Sequence, residues 1–385
     1  MEKIKDIFRN NIRQYAMLIA LVFIMILFEI LTSGVLLKAQ NVTNLIMQNA
    51  YVLILAMGMT LCILTGGNID LSVGSLVAFI GALIGTFIVT MHINIVLAIF
   101  MVLLIGVAVG IWQGFWIAYV RIPAFIVTLA GMLVFRGLTT TILQGQTIAL
   151  PDKFDKIGAG FIPDIISGSK LNILTLVVAA IISVIYIFLQ LKKRSNRKGY
   201  GFEVPNSALF IVQLVLVVVA ILLIAYSLAS YSGIPIVLVI IGALALIYSF
   251  VTTKTVPGRQ IYAMGGNEKA AKLSGIKTNK VLFLVYVNMA VISAIAGIVF
   301  SARIASASPL AGQNFELDAI AACFIGGASA TGGIGTVIGA IIGALVMGVL
   351  NNGMSILGVG SDWQQTIKGL VLLLAVAFDV LSKKK

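Results

Sequence analysis

Charge is scarce in this chain of 385 residues. Only 10% of the residues are Asp, Glu, Lys or Arg, against roughly 25% in soluble domains. That shortage excludes a soluble globular protein, a disordered chain and a coiled coil. Histidine occurs once, as His92, and cysteine twice, as Cys62 and Cys323. Both cysteines sit inside apolar runs, where they read as small packing residues rather than as a disulfide or metal pair. The sequence lacks H-E-x-x-H and G-x-S-x-G, which removes the usual metal and serine intramembrane hydrolases. It lacks G-x-x-x-x-G-K-[ST], so no P-loop binds ATP here. It also lacks a Thr-Val-Gly-Tyr-Gly channel filter. No catalytic and no metal-ligating residue is expected, which leaves transport or passive permeation.

What the chain has is apolar length. Hydrophobic residues make up 60% of it, and its mean hydropathy is +1.12. At roughly 20 residues per crossing, that supplies about eleven or twelve spans. The runs lack the period-2 alternation of an outer-membrane barrel. The expected fold is therefore all-α, a polytopic membrane protein of about 12 transmembrane or re-entrant helices. Candidate segments lie near 16–37, 42–65, 71–90, 93–119, 122–143, 171–191, 207–230, 234–252, 281–302, 316–330, 332–352 and 364–381. The third and tenth are short or glycine-rich, and read as re-entrant or broken. A basic stretch (Lys3, Lys5, Arg9, Arg13) precedes a first apolar run with no cleavage site, so an uncleaved first span is expected.

Lysine and arginine number 26 against 13 acids. With the N-terminus inside, alternate loops place 19 basic residues inside and six outside, with Arg136 left within a span. This obeys the positive-inside rule and favours an even number of crossings. The excess charge is thus an orientation signal, and nucleic acid is not expected as a partner. The expected single transmembrane domain spans 1–385. It has a cytoplasmic N-terminus (1–15), an extracytoplasmic loop (144–170), a cytoplasmic loop (253–280) and a cytoplasmic C-terminus (382–385).

Polar residues in apolar surroundings need a reason, because a charge at the bilayer centre costs several kcal/mol. Residues 66–75 mix glycines with Asn68, Asp70 and Ser72. They read either as a broken helix beside a translocation path or as an interfacial turn in which Ser72 or Asp70 caps the next helix. Residues 314–333 repeat the theme, with Glu316 and Asp318 followed by Gly326, Gly327, Gly332 and Gly333. The repetition suggests two loosely related halves. Gly106, Gly110 and Gly114, and again Gly335, Gly339 and Gly343, are spaced for close helix packing. Asn351 and Asn352 follow the second ladder as candidate path residues. Glu29 and Arg136 are expected either near helix ends or paired inside the bundle.

The 253–280 loop carries a helix of its own. Asn267 is a good N-cap, Glu268 is an acid in the first turn, Ala270 and Ala271 are small helix formers, and Gly275 is a left-handed stop. This segment, Gly258–Ile276, resembles the coupling segment of ABC importer permeases, including Gly265, Gly266 and Ser274 around a Glu-Ala-Ala…Gly variant. The chain resembles the monosaccharide branch of that family, the ribose, xylose and galactose permeases. The match is also carried by Gly67–Ser75, Phe315–Gly327 and Gly348–Val359. Three spans occupy 171–252, where shorter members have one, with Lys192–Pro205 between two of them. That longer form is similar to the xylose and multiple-monosaccharide permeases.

The resemblance implies a homodimer in a prokaryotic plasma membrane, an ABC ATPase docked on residues 265–275, and a sugar-binding protein outside. ATP and Mg would be bound by the ATPase, leaving this chain with no cofactor and no enzymatic activity. Monosaccharides such as xylose, ribose or galactose would cross by alternating access. Other readings remain open: a passive facilitator, a symporter binding its ion at Asp70, Glu316 or Asp318, or an importer of nucleosides, furanones or branched-chain amino acids.

Overall fold

The computed structural model describes residues 2–165, 171–202, 204 and 206–383. Met1, Lys170, Pro205, Lys384 and Lys385, which enter the expectations above, lie outside the described residues. The chain runs through α1 (Glu2–Leu31), α2 (Ala39–Gln48), α3 (Ala50–Leu64) and α4 (Val73–Gly85). A π-helical turn (Thr86–Thr90) extends α4, and α5 (Ile95–Ala118) and α6 (Ala124–Leu143) follow. Next come β1 (Ile148–Ala149), α7 (Asp152–Ala159), α8 (Ile173–Gly199), α9 (Ser207–Ala229), α10 (Ile236–Lys254), α11 (Val256–Gly266) and α12 (Glu268–Leu273). The chain closes with α13 (Thr278–Arg303), β2 (Ser306–Ala307), α14 (Phe315–Ile325), α15 (Val337–Ile356) and α16 (Ser361–Lys383). The fold is all-α and polytopic, with several helices of membrane-spanning length.

All twelve expected segments correspond to helices. Among the described residues, nine helices are long and apolar enough to cross a membrane, and the broken pair α2–α3 makes a tenth. The remaining two are the apolar part of α1, Met17–Leu31, and the 11-residue α14. At 1.5 Å per residue α14 is about 16 Å long, half the hydrocarbon thickness. The expected break in the tenth segment is therefore present, whereas the third segment is one continuous helix of spanning length, α4 passing directly into its π-helical turn. The break at Asn49, between α2 and α3, was not expected.

The described chain forms two compact units. The first comprises residues 1–36, 45–160 and 237–385. Its centre is α3, buried on every face from Val52 to Leu64, as befits a helix that is apolar all round. Alongside runs α13, which packs on α5 through small residues. A Cβ at Gly106 or Gly110 would strike Ala294 or Val287, and one at Gly114 would crowd Phe283. This ladder is a packing face, as its spacing suggested. In the other ladder Gly339 and Gly343 pack on Gly326 and Ala322. Gly335, however, precedes α15 and is not on its face.

A two-stranded ribbon, Ile148 opposite Ala307, joins the loop after α6 to the loop after α13. The second unit comprises residues 37–44 and 161–236. It is mainly the α8–α9 hairpin. Asn172 Oδ1 accepts from Thr175 N at 3.0 Å and Asn206 Oδ1 from Ala208 N at 3.1 Å, which cap the two helices.

Both cysteines are fully buried in the first unit. Cys323 Sγ lies 3.4 Å from Thr60 Oγ1 and from the Ala56 carbonyl. A membrane-permeant maleimide should therefore label neither in native membranes and both after SDS denaturation. Labelling of either in the native state would contradict this packing.

Candidate functional site

The polar residues of the 65–72 link form an ordered network. The Asp70 carboxylate, 1% exposed, accepts from Ser72 N at 2.8 Å and Ser72 Oγ at 2.6 Å. Ser72 Oγ in turn accepts from Gln113 Nε2 of α5 at 2.7 Å. Ser72 occupies the N-cap position of α4, but its hydroxyl makes no capping bond. The expected Ser72 side-chain cap is thus absent, because Asp70 and Gln113 engage the hydroxyl instead. Asn68 Nδ2 donates to the Thr65 carbonyl at 3.2 Å.

The second polar cluster meets the first through backbone. A Cβ on Gly74 would overlap both the Gly312 carbonyl and the Glu316 carboxylate. Arg136, on α6, donates through Nη1 to the carbonyls of Pro309 at 2.9 Å and Ala311 at 2.6 Å. It also interacts electrostatically with Glu316. Of the two expectations for Arg136, pairing inside the bundle holds. Glu29 lies in the last turn of α1, its carboxylate near Gly34. Asp318 pairs with Lys368 of α16 at 2.9 Å and accepts from Tyr51 Oη at 2.9 Å. Tyr51 also stacks on Phe315, with ring centroids 3.6 Å apart.

Asn351 and Asn352 belong elsewhere. Asn352 Nδ2 donates to Gln48 Oε1 at 3.4 Å, and Asn351 Oδ1 is buried without a protein partner. The structure therefore joins Asp70, Ser72 and Glu316 at one place, puts Asp318 beside Tyr51 and Lys368, and leaves the asparagine pair near α2.

The 253–280 loop is more helical than expected. A whole additional helix, α11, fills its first half. Thr255 Oγ1 caps it at Gly258 N, with proline in the first turn. Then α12 forms as read: Asn267 Oδ1 accepts from Ala270 N at 3.0 Å, and Gly275 ends it at φ +85°. Ala271 is buried, while Ala270, Ser274 and Gly275 are exposed. Glu268 Oε1 accepts from Arg121 Nη1 at 2.8 Å. Both side chains are more than two-fifths exposed, so this pair contributes at most about 1 kcal/mol. Arg121 also donates to Asn279, and its backbone is left-handed at φ +67°.

One contact ties this loop to both breaks. A Cβ on Gly265 would overlap the Leu64 carbonyl at the end of α3 and crowd Gly333 N. That same carbonyl accepts from Gly333 N at 3.1 Å. A Cβ on Gly67 would likewise overlap the Ala330 carbonyl, and one on Gly332 the Gly66 backbone. Tyr262 Oη of α11 donates to the Gly335 carbonyl at 2.7 Å. Three backbone segments, 64–67, 265–266 and 330–335, therefore meet without intervening side chains. Beside them opens a cavity of about 380 Å³, lined by Thr65, Asn68, Arg121, Asn267 and Glu268 among others.

Sequence reasoning missed Gln113, Tyr51, Lys368 and Arg121 as partners. Gln113 and Lys368 carried a usable signal, being polar residues inside apolar helices. The Lys368 side chain is largely buried against Asp318.

Breaking a buried ion pair by removing one partner costs about 3–5 kcal/mol. Lys368→Met should lower the melting temperature of the purified chain sharply. Adding Asp318→Asn should restore much of it. A Lys368→Met melt equal to wild type would show that the pair is not structural.

A permease family described as "Branched-chain amino acid transport system / permease component" matches residues 41–376. The xylose transport system permease protein of Haemophilus influenzae is 40% identical over 386 residues, covering 100% of both chains. The xylose transport system permease protein of Escherichia coli K12 is 38% identical, covering 97% of this chain and 93% of that one. The ribose import permease protein of Bacillus subtilis is 35% identical, covering 93% of this chain and 90% of that one. No solved structure matches.

Proposed function

Because the chain belongs to this family of transport-system permease components, we propose that it is the membrane subunit of an ATP-driven importer that carries a monosaccharide, xylose in the first instance. The choice of sugar rests on relatives that match across nearly the whole chain and are xylose permeases. The family description names branched-chain amino acids, so such an amino acid is the competing solute. A neutral sugar needs hydrogen-bond partners along its path rather than charge. Asn68 and Asn351 are half-buried and suit that need.

The observation that carries the ATP-driven reading is the three-way backbone junction at Gly265. Transport energy has to enter from a partner, since the chain has no nucleotide-binding loop. An ATPase bound to α12 would push on a short helix tied to Arg121 on one side. On the other side α12 follows α11 directly, and α11 ends in the junction. A displacement there reaches Leu64 and Gly333 through backbone, with no flexible side chain to absorb it. Both broken segments would then change together, which is what a switch between outward-facing and inward-facing forms requires. The assembly proposed is two copies of this chain, an ATPase pair holding ATP and Mg, and an external sugar-binding protein.

The ion-driven alternative is weakened by the acids themselves. Asp70 is held by Ser72, and Asp318 by Lys368 and Tyr51. These two carboxylates already have internal partners, so a coupling ion would have to compete with them.

The test is uptake of labelled xylose into proteoliposomes containing this chain, its ATPase and its binding protein. Uptake should require ATP and survive collapse of ion gradients. Gly265→Leu should abolish uptake while the chain still inserts. Gly275→Leu meets open space but forces a left-handed backbone, at about 1–2 kcal/mol. It should reduce uptake at least several-fold and leave sugar-stimulated ATP hydrolysis poorly coupled. ATP-independent uptake by wild type would refute the ATP-driven reading, and leucine uptake without xylose uptake would refute the sugar.

A further inference from the structure

The α8–α9 hairpin is not used by the coupling machinery, yet it carries the densest charge in the chain. In the best 18-residue window of α8, 17% of residues are buried, and in that of α9, 11%. Both helices therefore present their apolar sides to lipid along most of their length. The apolar part of α8 runs from Ile173 to Leu191, about 28 Å at 1.5 Å per residue, which matches the hydrocarbon thickness. The helix does not stop there. It continues through Lys192, Lys193, Arg194, Arg197 and Lys198 to Gly199. Those eight residues extend about 12 Å, into the depth where phospholipid headgroups lie.

The five cations are not equivalent. Arg194 is taken up inside the hairpin. Its guanidinium stacks over Phe210 at 4.6 Å and donates to Ser207 Oγ at 3.0 Å. Lys192, Lys193, Arg197 and Lys198 are exposed. Lys193 and Arg197 are four residues apart and share one side of the helix, with Lys198 adjoining. Between 173 and 229 the sequence offers a single acid, Glu203. Tyr200 and Phe202 follow in the turn, 79% and 63% exposed, and aromatic side chains of this kind sit well at a headgroup boundary.

We propose that the extended end of α8 binds the phosphates of anionic phospholipids through Lys192, Lys193, Arg197 and Lys198, anchoring the hairpin at one leaflet. Clustered cations directly beside a span each add about a fivefold preference for an anionic surface. A purely topological role differs in one respect: it ends once the chain is inserted, whereas lipid binding persists in the purified protein.

The experiment compares the full-length chain with a variant carrying Lys192→Gln, Lys193→Gln, Arg197→Gln and Lys198→Gln. Both are placed in nanodiscs of phosphatidylcholine with a minor share of phosphatidylglycerol. Lipid retained after mild delipidation is identified by native mass spectrometry. Wild type should retain phosphatidylglycerol well above its share, and the variant should lose at least tenfold of that enrichment. Labelling of Asn196→Cys checks that the hairpin is correctly oriented. If the fourfold variant inserts wrongly, Lys193→Gln with Lys198→Gln keeps three basic residues and should still lower enrichment severalfold. Equal enrichment in a correctly oriented variant overturns the proposal. So does loss of ATPase association with lipid retention intact, which would assign the surface to a protein.

Discussion

The close approach of Gly265 to the Leu64 carbonyl is the constraint on which the rest of the arrangement depends. A backbone carbonyl at the end of a buried helix has to find a donor. Here Gly333 N supplies it, and Gly265 leaves the space for that bond. The end of α3, the end of α11 and the link between α14 and α15 are thereby held against one another. Any side chain at Gly265 would push them apart. The position of α12 follows, because only Asn267 separates it from the end of α11.

Burial of polar groups in an apolar bundle imposes the second level of order. Asp70 and Asp318 are each almost fully buried, and neither is left alone. Ser72 satisfies the first through its amide and its hydroxyl, which Gln113 engages in turn, and Lys368 and Tyr51 satisfy the second. Arg136 takes the carbonyls of an irregular stretch, Pro309 and Ala311. Irregular backbone in such a setting is tolerated where side chains and neighbouring backbone satisfy it. The starts of α4 and of the short helix α14 are therefore held by specific polar contacts as well as by apolar packing, which suits elements that adopt two alternative positions.

Much of this was legible in the sequence where the determinants are local. The twelve segments follow from apolar run length, and α12 from an N-cap, an acid, two alanines and a glycine stop within nine residues. What was not legible depends on distant partners. Gly-rich α11 has poor intrinsic propensity and is fixed by Ile261, Met264 and Tyr262 packing on other segments. Lys368 reads as a loop charge until Asp318, fifty residues away, is brought beside it. Gln113 gains meaning only next to Ser72. The break at Asn49 has no glycine or proline to announce it, and Gly335 looks like part of a helical ladder although it lies outside the helix.

The central claim is that one backbone junction moves both breaks together. Hydrogen exchange in the assembled transporter, with and without ATP, reads it most directly. The account predicts that amide protection in residues 64–67 and 330–335 changes in concert with that of 256–277. A change confined to 256–277, with both glycine segments unaffected, would contradict it.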